Sequence, residues 1–119
     1  MRAWLLLLAT CASIFAGPAG AHAFLDHASP AVGSTVHTPP AQVKLWFTGE
    51  LEPAFSTAQV SDAAGKRVDK ADAAVDAADN TLLTLSLQPL SAGRYRVSWR
   101  VLSVDTHATE GDFSFDVAP

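Results

Sequence analysis

An aspartate and a histidine separated by one residue are the first side chains here that could act together chemically. In Asp105-Thr106-His107, an extended backbone would direct the carboxylate and the imidazole to the same side of the chain. A carboxylate and an imidazole placed together supply two of the ligands that a divalent metal ion needs. The same pattern also suits an aspartate that orients a surface histidine, so the spacing alone leaves both interpretations open.

A second candidate ligand depends on where the chain is cut during export. Arg2 precedes an apolar run without charges over residues 3–16, and small residues follow it at 17–21. This is the pattern of a secretory signal, and the run is shorter than the ~20 residues of a membrane span. We therefore predict a signal peptide over residues 1–21, cleavage after Ala21, and a single domain over residues 22–119. Cleavage after Ala23 remains the competing possibility, because Ala21-His22-Ala23 also has small residues at the required positions.

Cleavage after Ala21 would make His22 the first residue, and its free α-amine and imidazole could then chelate one ion together. With Asp105 and His107, the donors become two imidazoles, one amine and one carboxylate. Nitrogen and oxygen donors in a tetragonal arrangement suit Cu(II), which also heads the affinity order of divalent first-row metals. The candidate metal ligands are therefore His22, Asp105 and His107, holding one Cu(II) per chain. The alternative is that His22 is an ordinary residue after a cleavage site.

The composition narrows the class of protein. The 119 residues are 49% hydrophobic and carry eight Lys and Arg against twelve Asp and Glu, a formal net charge of −4. That is the size of one ordinary domain, and its acidic balance argues against nucleic acid as a partner. Cys11 and Met1, the single cysteine and methionine, both lie in the predicted signal peptide. The predicted exported chain therefore offers no thiolate or thioether, the ligands that Cu(I) selects.

The elements that must position the candidate ligands have a hydrophobic period of two. Apolar and polar residues alternate in four segments, and weaker strands are predicted in three more: 43–47, 83–87, 95–101 and 113–117, then 23–26, 56–61 and 66–68. Turn residues separate these segments at regular intervals. About seven short strands in ~100 residues predict an all-β, antiparallel Greek-key sandwich. No apolar run after residue 21 is long enough to predict a membrane-spanning helix.

Ser103, Asp105 and His107 also invite comparison with a nucleophilic triad. On an extended strand, neighbouring residues of one face lie ~7 Å apart, too far for a relayed hydrogen bond. The sequence has no Gly-x-Ser-x-Gly elbow either. We therefore predict no catalytic residues.

Several motifs occur together along the predicted mature chain: His22-Ala23-Phe24-Leu25, Ser29-Pro30-Ala31-Val32-Gly33-Ser34, the segments 43–47, 93–101 and 111–115, and Ser103-Val104-Asp105-Thr106-His107. In this combination the sequence, from residue 22 to 117, resembles the CopC family of periplasmic copper-binding proteins. The resemblance implies a cupredoxin-like or immunoglobulin-like β-sandwich and a Cu(II) site made by His22, Asp105 and His107. It also implies a periplasmic carrier or buffer in copper resistance or homeostasis, and a separate membrane copper-transport protein as its partner. We expect a monomer.

The sequence departs from the family pattern in two places. The family's loop commonly reads Asp-Gly-His-Pro, whereas this chain has Asp105-Thr106-His107-Ala108, which predicts a changed loop angle but keeps both ligands. Some members carry a methionine-rich loop that binds Cu(I), and residues 22–119 contain no methionine.

Two other functions are alternatives to a copper carrier or buffer. Copper-dependent polysaccharide monooxygenases also use an N-terminal histidine and a second histidine, but the charged ligand Asp105 favours Cu(II) and leaves less room for oxygen. A metal-free adhesion domain is the third alternative.

Three further residues have open roles. His27 is either an auxiliary ligand or an exposed loop residue, and His37 is unassigned. Glu50 either orients a group near the site or is simply exposed.

Overall fold

Alternation of apolar and polar side chains produces the long strands of the protein. In the third strand, Val43, Leu45 and Phe47 are buried while Lys44 and Trp46 are partly exposed. The computed structural model describes residues 22–119, so the predicted signal peptide lies outside the described residues. Eight strands and one 3-10 turn follow in chain order: β1 Leu25–Ser29, β2 Thr35–Val36, β3 Gln42–Phe47, the turn Pro53–Phe55, β4 Thr57–Asp62, β5 Ala74–Val75, β6 Leu82–Ser86, β7 Gly93–Leu102 and β8 Ala108–Val117.

The strands form two four-stranded sheets. One sheet has the order β1-β3-β6-β5 and the other has the order β2-β8-β7-β4. Neighbouring strands are antiparallel except for β2 and β8, which pair in parallel. Strands β7 and β8 form the longest hairpin, with paired residues from Gly93 opposite Val117 to Leu102 opposite Ala108. The turn that closes this hairpin contains the candidate ligands Asp105 and His107.

The core lies between the two sheets. Each sheet contributes apolar side chains that are almost fully buried, among them Val43, Leu45, Leu83 and Leu85 from one sheet and Val60, Val97, Val101 and Phe115 from the other. Burial of such side chains supplies most of the folding free energy of a domain of this size. The core therefore holds the β7–β8 hairpin rigidly against the opposite sheet.

This architecture confirms the predicted all-β sandwich. The segment 66–68 is not a strand, however: Arg67 forms a single bridge with Ser61. The chain is held there by the carboxylate of Asp69, which is fully buried and accepts hydrogen bonds from Arg67 and from the Val60 amide. Strands β2 and β5, of two residues each, are too short to show a period. Within residues 22–119, no helix is long and apolar enough to cross a membrane.

Candidate metal centre

The turn between β7 and β8 brings Asp105 and His107 together, although its backbone is not extended. The amide of Ser103 donates to the carbonyl of His107 at 3.0 Å, and the amide of Thr106 donates to the carbonyl of Ser103 at 2.8 Å. The extended geometry assumed from the sequence is therefore wrong. The carboxylate and the imidazole still meet, with Oδ2 of Asp105 3.2 Å from Nδ1 of His107.

Thr106 has a left-handed backbone, with φ of 72°. Glycine adopts this conformation without steric cost, whereas a residue with a side chain pays about 1–2 kcal/mol for it. The position is the one at which the family's loop commonly has glycine. Thr106 therefore adopts, at a steric cost, an angle that glycine would allow freely.

Side-chain hydrogen bonds add to the backbone hydrogen bonds of the turn. The hydroxyl of Ser103, a buried side chain, donates to Oδ1 of Asp105, while the other carboxylate oxygen faces His107. The pKa of Asp105 is lowered, chiefly by the hydrogen bond from the Ser103 hydroxyl; burial opposes this effect, and the contacts with His107 lower the pKa further. The carboxylate is therefore held ionised, which is the state that binds a metal ion.

These contacts also correct the sequence argument that Ser103, Asp105 and His107 are too far apart for hydrogen bonds. The order of the contacts nevertheless differs from that of a triad. The hydroxyl donates to the carboxylate, whereas a catalytic serine donates to the imidazole that removes its proton. The hydroxyl of Ser103 therefore faces a carboxylate and not an imidazole.

The segment that carries His22 is fixed by both sheets. Ala23 is fully buried, and its carbonyl accepts a hydrogen bond from Oγ1 of Thr109 in β8 at 2.6 Å. Oγ1 of Thr48, just after β3, donates to the carbonyl of His22 at 3.3 Å and accepts from the amide of Phe24 at 3.0 Å. No sequence pattern indicates these roles of Thr48 and Thr109, because they depend on how distant segments pack.

The anchored segment places His22 beside His107, with their ring centroids 4.2 Å apart. His107 thus lies next to each of the other two candidate ligands. In residues 22–119, no three His, Cys, Asp or Glu side chains are already gathered around one point. The donor types, two imidazoles and an ionised carboxylate, still suit a divalent ion such as copper.

The other residues singled out from the sequence lie elsewhere or play a structural part. His27 stacks on Trp46 with centroids 4.4 Å apart, and its Nδ1 lies 2.7 Å from Asp26. His37 follows β2, which pairs with the far end of β8 from His107. The main-chain carbonyl of Glu50 accepts a hydrogen bond from the amide of Val104 at 3.0 Å. Of the three, only Glu50 lies beside the turn that carries the candidate ligands.

Fold and donors together define a small β-sandwich with a candidate divalent-metal centre at the closed end of one hairpin. The family model described as the CopC domain matches residues 25–118. The chain belongs to the CopC family, as the motifs of the sequence indicated.

Individual relatives agree with this assignment. The chain is 37% identical over 112 residues to copper resistance protein C of Xanthomonas campestris pv. juglandis, covering 89% of this chain and 87% of that protein. The crystal structure of CopC from Methylosinus trichosporium OB3b matches with a TM-score of 0.77 and 42% identity, covering 82% of this chain and 95% of that one. PcoC from Escherichia coli, described as a methionine-rich copper resistance protein, matches with a TM-score of 0.73 and 33% identity, covering 82% and 99%.

Proposed function

We propose that this protein binds copper as Cu(II) and acts in copper resistance, as a carrier or buffer in the periplasm. The observation that carries the proposal is the placement of the His22 ring 4.2 Å from that of His107, whose Nδ1 lies 3.2 Å from the carboxylate of Asp105. The family and the copper resistance proteins that the chain resembles support the choice of copper among divalent metals.

The oxidation state follows from the donor atoms. The candidate ligands offer nitrogen and oxygen, which suit Cu(II), whereas Cu(I) prefers sulfur. Residues 22–119 contain neither methionine nor cysteine, in contrast to the methionine-rich relative PcoC. We therefore expect one Cu(II) per chain and much weaker binding of Cu(I).

Export and cleavage after Ala21 belong to the same proposal, because they create the α-amine of His22. The packing of the next residue supports this cut. Ala23 is fully buried and its carbonyl is bonded to Thr109, so cleavage after Ala23 would remove a residue that the fold uses. The mature protein would then begin at the first residue that can chelate the ion.

The residues of the site have distinct tasks in this mechanism. His22 and His107 supply nitrogen ligands, and Asp105 supplies a charge that stabilises a doubly positive ion more than a singly positive one. Ser103 holds the Asp105 carboxylate ionised and oriented. Outer-sphere contacts of this kind tune a metal ligand without touching the metal.

A binding role fits these features better than the monooxygenase alternative. The relatives are copper resistance proteins, and the charged ligand Asp105 favours a retained Cu(II) over the Cu(I) that oxygen chemistry requires. A separate membrane copper-transport protein is the partner that the family suggests, and we expect the mature chain to act as a monomer.

The test compares two chains that differ by one residue at the start. A chain beginning at His22 should bind one Cu(II) tightly, whereas a chain beginning at Ala21 has an amide in place of the amine. We expect the extension, and likewise His22→Ala or His107→Ala, to weaken Cu(II) binding by at least ~100-fold, more than outer-sphere changes usually do. The measurement is competition against a chelator of known Cu(II) affinity.

His37→Ala is the matched control, because it removes an imidazole at the far end of β8 and should leave the affinity unchanged. Equal Cu(II) affinity of the chains beginning at Ala21 and His22 would show that the amine is not a ligand.

A further inference from the structure

Among residues 22–119, three of the four exposed large apolar side chains lie on segments next to the candidate site. In residues 22–119, four such side chains are exposed: Phe24 by 56%, Val32 by 58%, Phe55 by 67% and Val104 by 48%. Phe24, Phe55 and Val104 all lie near the turn between β7 and β8. Clustered exposed apolar side chains mark interaction surfaces, whereas single ones need no explanation.

Each of the three lies close to a candidate ligand in space or in sequence. The ring of Phe24 lies 5.8 Å from that of His22. Val104 immediately precedes Asp105 in the turn. Phe55, at the end of the 3-10 turn, lines a groove with Ala108, the residue that follows His107. The three apolar side chains therefore border the site on separate segments of the chain.

Two carboxylates lie on the same end of the molecule. The segment 50–52 runs beside the hairpin end, since Leu51 bridges Ser103 and the amide of Glu52 donates to the carbonyl of Leu102 at 2.8 Å. Among the described residues, no cation lies within ion-pair distance of Glu50 or Glu52. One cation, Arg100, lines the groove next to Phe55.

We propose that Phe24, Phe55 and Val104, with Glu50 and Glu52, form a docking surface for a protein partner. The fitting partner presents apolar side chains bordered by Lys or Arg, because protein interfaces combine an apolar centre with a charge-complementary rim. That the partner gives or takes copper rests on the function proposed above, whereas the docking surface itself rests on exposure and charge.

The negative charges of Glu50 and Glu52 argue against a second copy or a lipid surface as the occupant of this docking surface. A second copy docked on the same surface would bring Glu50 and Glu52 close to their own equivalents, since a two-fold interface pairs like with like. An anionic lipid surface attracts basic segments and would repel these side chains.

Photo-crosslinking in the source cells tests the proposal on the exported protein. A photoreactive phenylalanine analogue replaces Phe55, or Val104 in a second variant, and replaces Val32 in the control. We expect an adduct with another protein from positions 55 and 104 but not from position 32, with Lys or Arg among apolar residues in the crosslinked peptide. The adduct should be lost in a Glu50→Lys, Glu52→Lys background.

Four outcomes would overturn the docking surface: no adduct from either position, an adduct with a second copy, an adduct with lipid, or one that survives the charge reversal. Cu(II) competition on the same variants separates this proposal from the proposed function. The variant at 55 should keep the Cu(II) affinity of the native chain, and the charge-reversed variant should still bind one Cu(II), whereas His107→Ala should lose binding. Failure of the native chain to bind Cu(II) would overturn the function and leave the crosslinking result standing.

Discussion

At the scale of single residues, the turn 103–107 combines two candidate metal ligands with an unfavourable backbone conformation. Thr106 adopts a left-handed φ of 72° between the two candidate ligands of the turn. Its hydroxyl donates to the carbonyl of Asp105, but that bond is exposed to water, and exposed hydrogen bonds contribute little net free energy. The steric cost of the conformation is therefore not compensated locally.

Replacing Thr106 by glycine should stabilise the protein. Glycine removes a cost of about 1–2 kcal/mol but loses about 0.5–1 kcal/mol to its greater freedom in the unfolded chain, so we expect a net gain of about 0.5–1 kcal/mol. Urea unfolding measures it. Thr106→Ala is the control, because alanine removes the hydroxyl yet keeps the unfavourable conformation. A glycine variant no more stable than the alanine variant would contradict the argument.

The residues of the candidate site could be named from the sequence, but their geometry could not. His22, Asp105 and His107 could be named from their types and from the family resemblance, and their role as ligands remains a prediction. The contact between Ser103 and Asp105 was missed because an extended backbone was assumed where the chain makes a turn. A single threonine in a left-handed conformation leaves no mark in a hydrophobic pattern, and the hint of a turn was the glycine that the family commonly has at this position.

At the scale of elements, strands with clear alternation were predicted and short ones were not. Strands β3, β6, β7 and β8 all lie where apolar residues recur at every second position. Strands β2 and β5 arise from contacts with β8 and β6, so their existence depends on tertiary structure. The segment 66–68 shows the converse, because it follows a strand-like pattern yet is held by the side chain of Asp69.

The β7–β8 hairpin contains a close contact that can be tested. Trp99 faces Gly111 across the two strands and packs edge-on against Phe47, with ring centroids 5.2 Å apart. A Cβ atom added at Gly111 would lie 2.6 Å from Cζ2 of Trp99. A rigid indole held by a third strand has little freedom to move away from such a contact.

Gly111→Ala should therefore destabilise the protein by about 1–3 kcal/mol, the usual range for overpacking. Urea unfolding followed by tryptophan fluorescence would detect both the loss and any change in the surroundings of Trp99. Gly49→Ala is the matched control, because the nearest atom to its added Cβ would be at 3.6 Å, an ordinary contact. Equal stability of the two variants would mean that the indole moves freely.

At the scale of the whole molecule, carboxylates link the stability of the fold to pH. Arg94 and Arg96 on β7 pair with Asp116 and Asp112 on β8, each at 2.9 Å, so both charges are neutralised within one sheet. The pKa of each of these two aspartates is lowered, chiefly by the hydrogen bond from its arginine. Both pairs are exposed to solvent, where ion pairs contribute little.

Asp69 contributes more because its side chain is fully buried. Burial by itself raises the pKa of Asp69, but the hydrogen bonds from Arg67 and from the amides of Val60 and Ala71 outweigh it and lower the pKa below its ordinary value. These bonds tie the segment after β4 to that strand. Hydrogen bonds to a charged group typically contribute about 1.5–3 kcal/mol each, although the half-exposed Arg67 contributes less than a buried partner would.

Acid should therefore destabilise the metal-free protein in a defined range of pH. A carboxylate with a lowered pKa in the folded state stabilises the fold fully above its unfolded pKa of about 4, and that contribution is lost as the pH falls toward the folded value. We expect the urea midpoint of the native chain to fall steeply below about pH 4. Asp69→Asn should be less stable near neutral pH and should lose less stability on acidification, because its amide does not titrate. A native chain and an Asp69→Asn variant that lose stability in parallel below this pH would show that Asp69 does not govern the acid response.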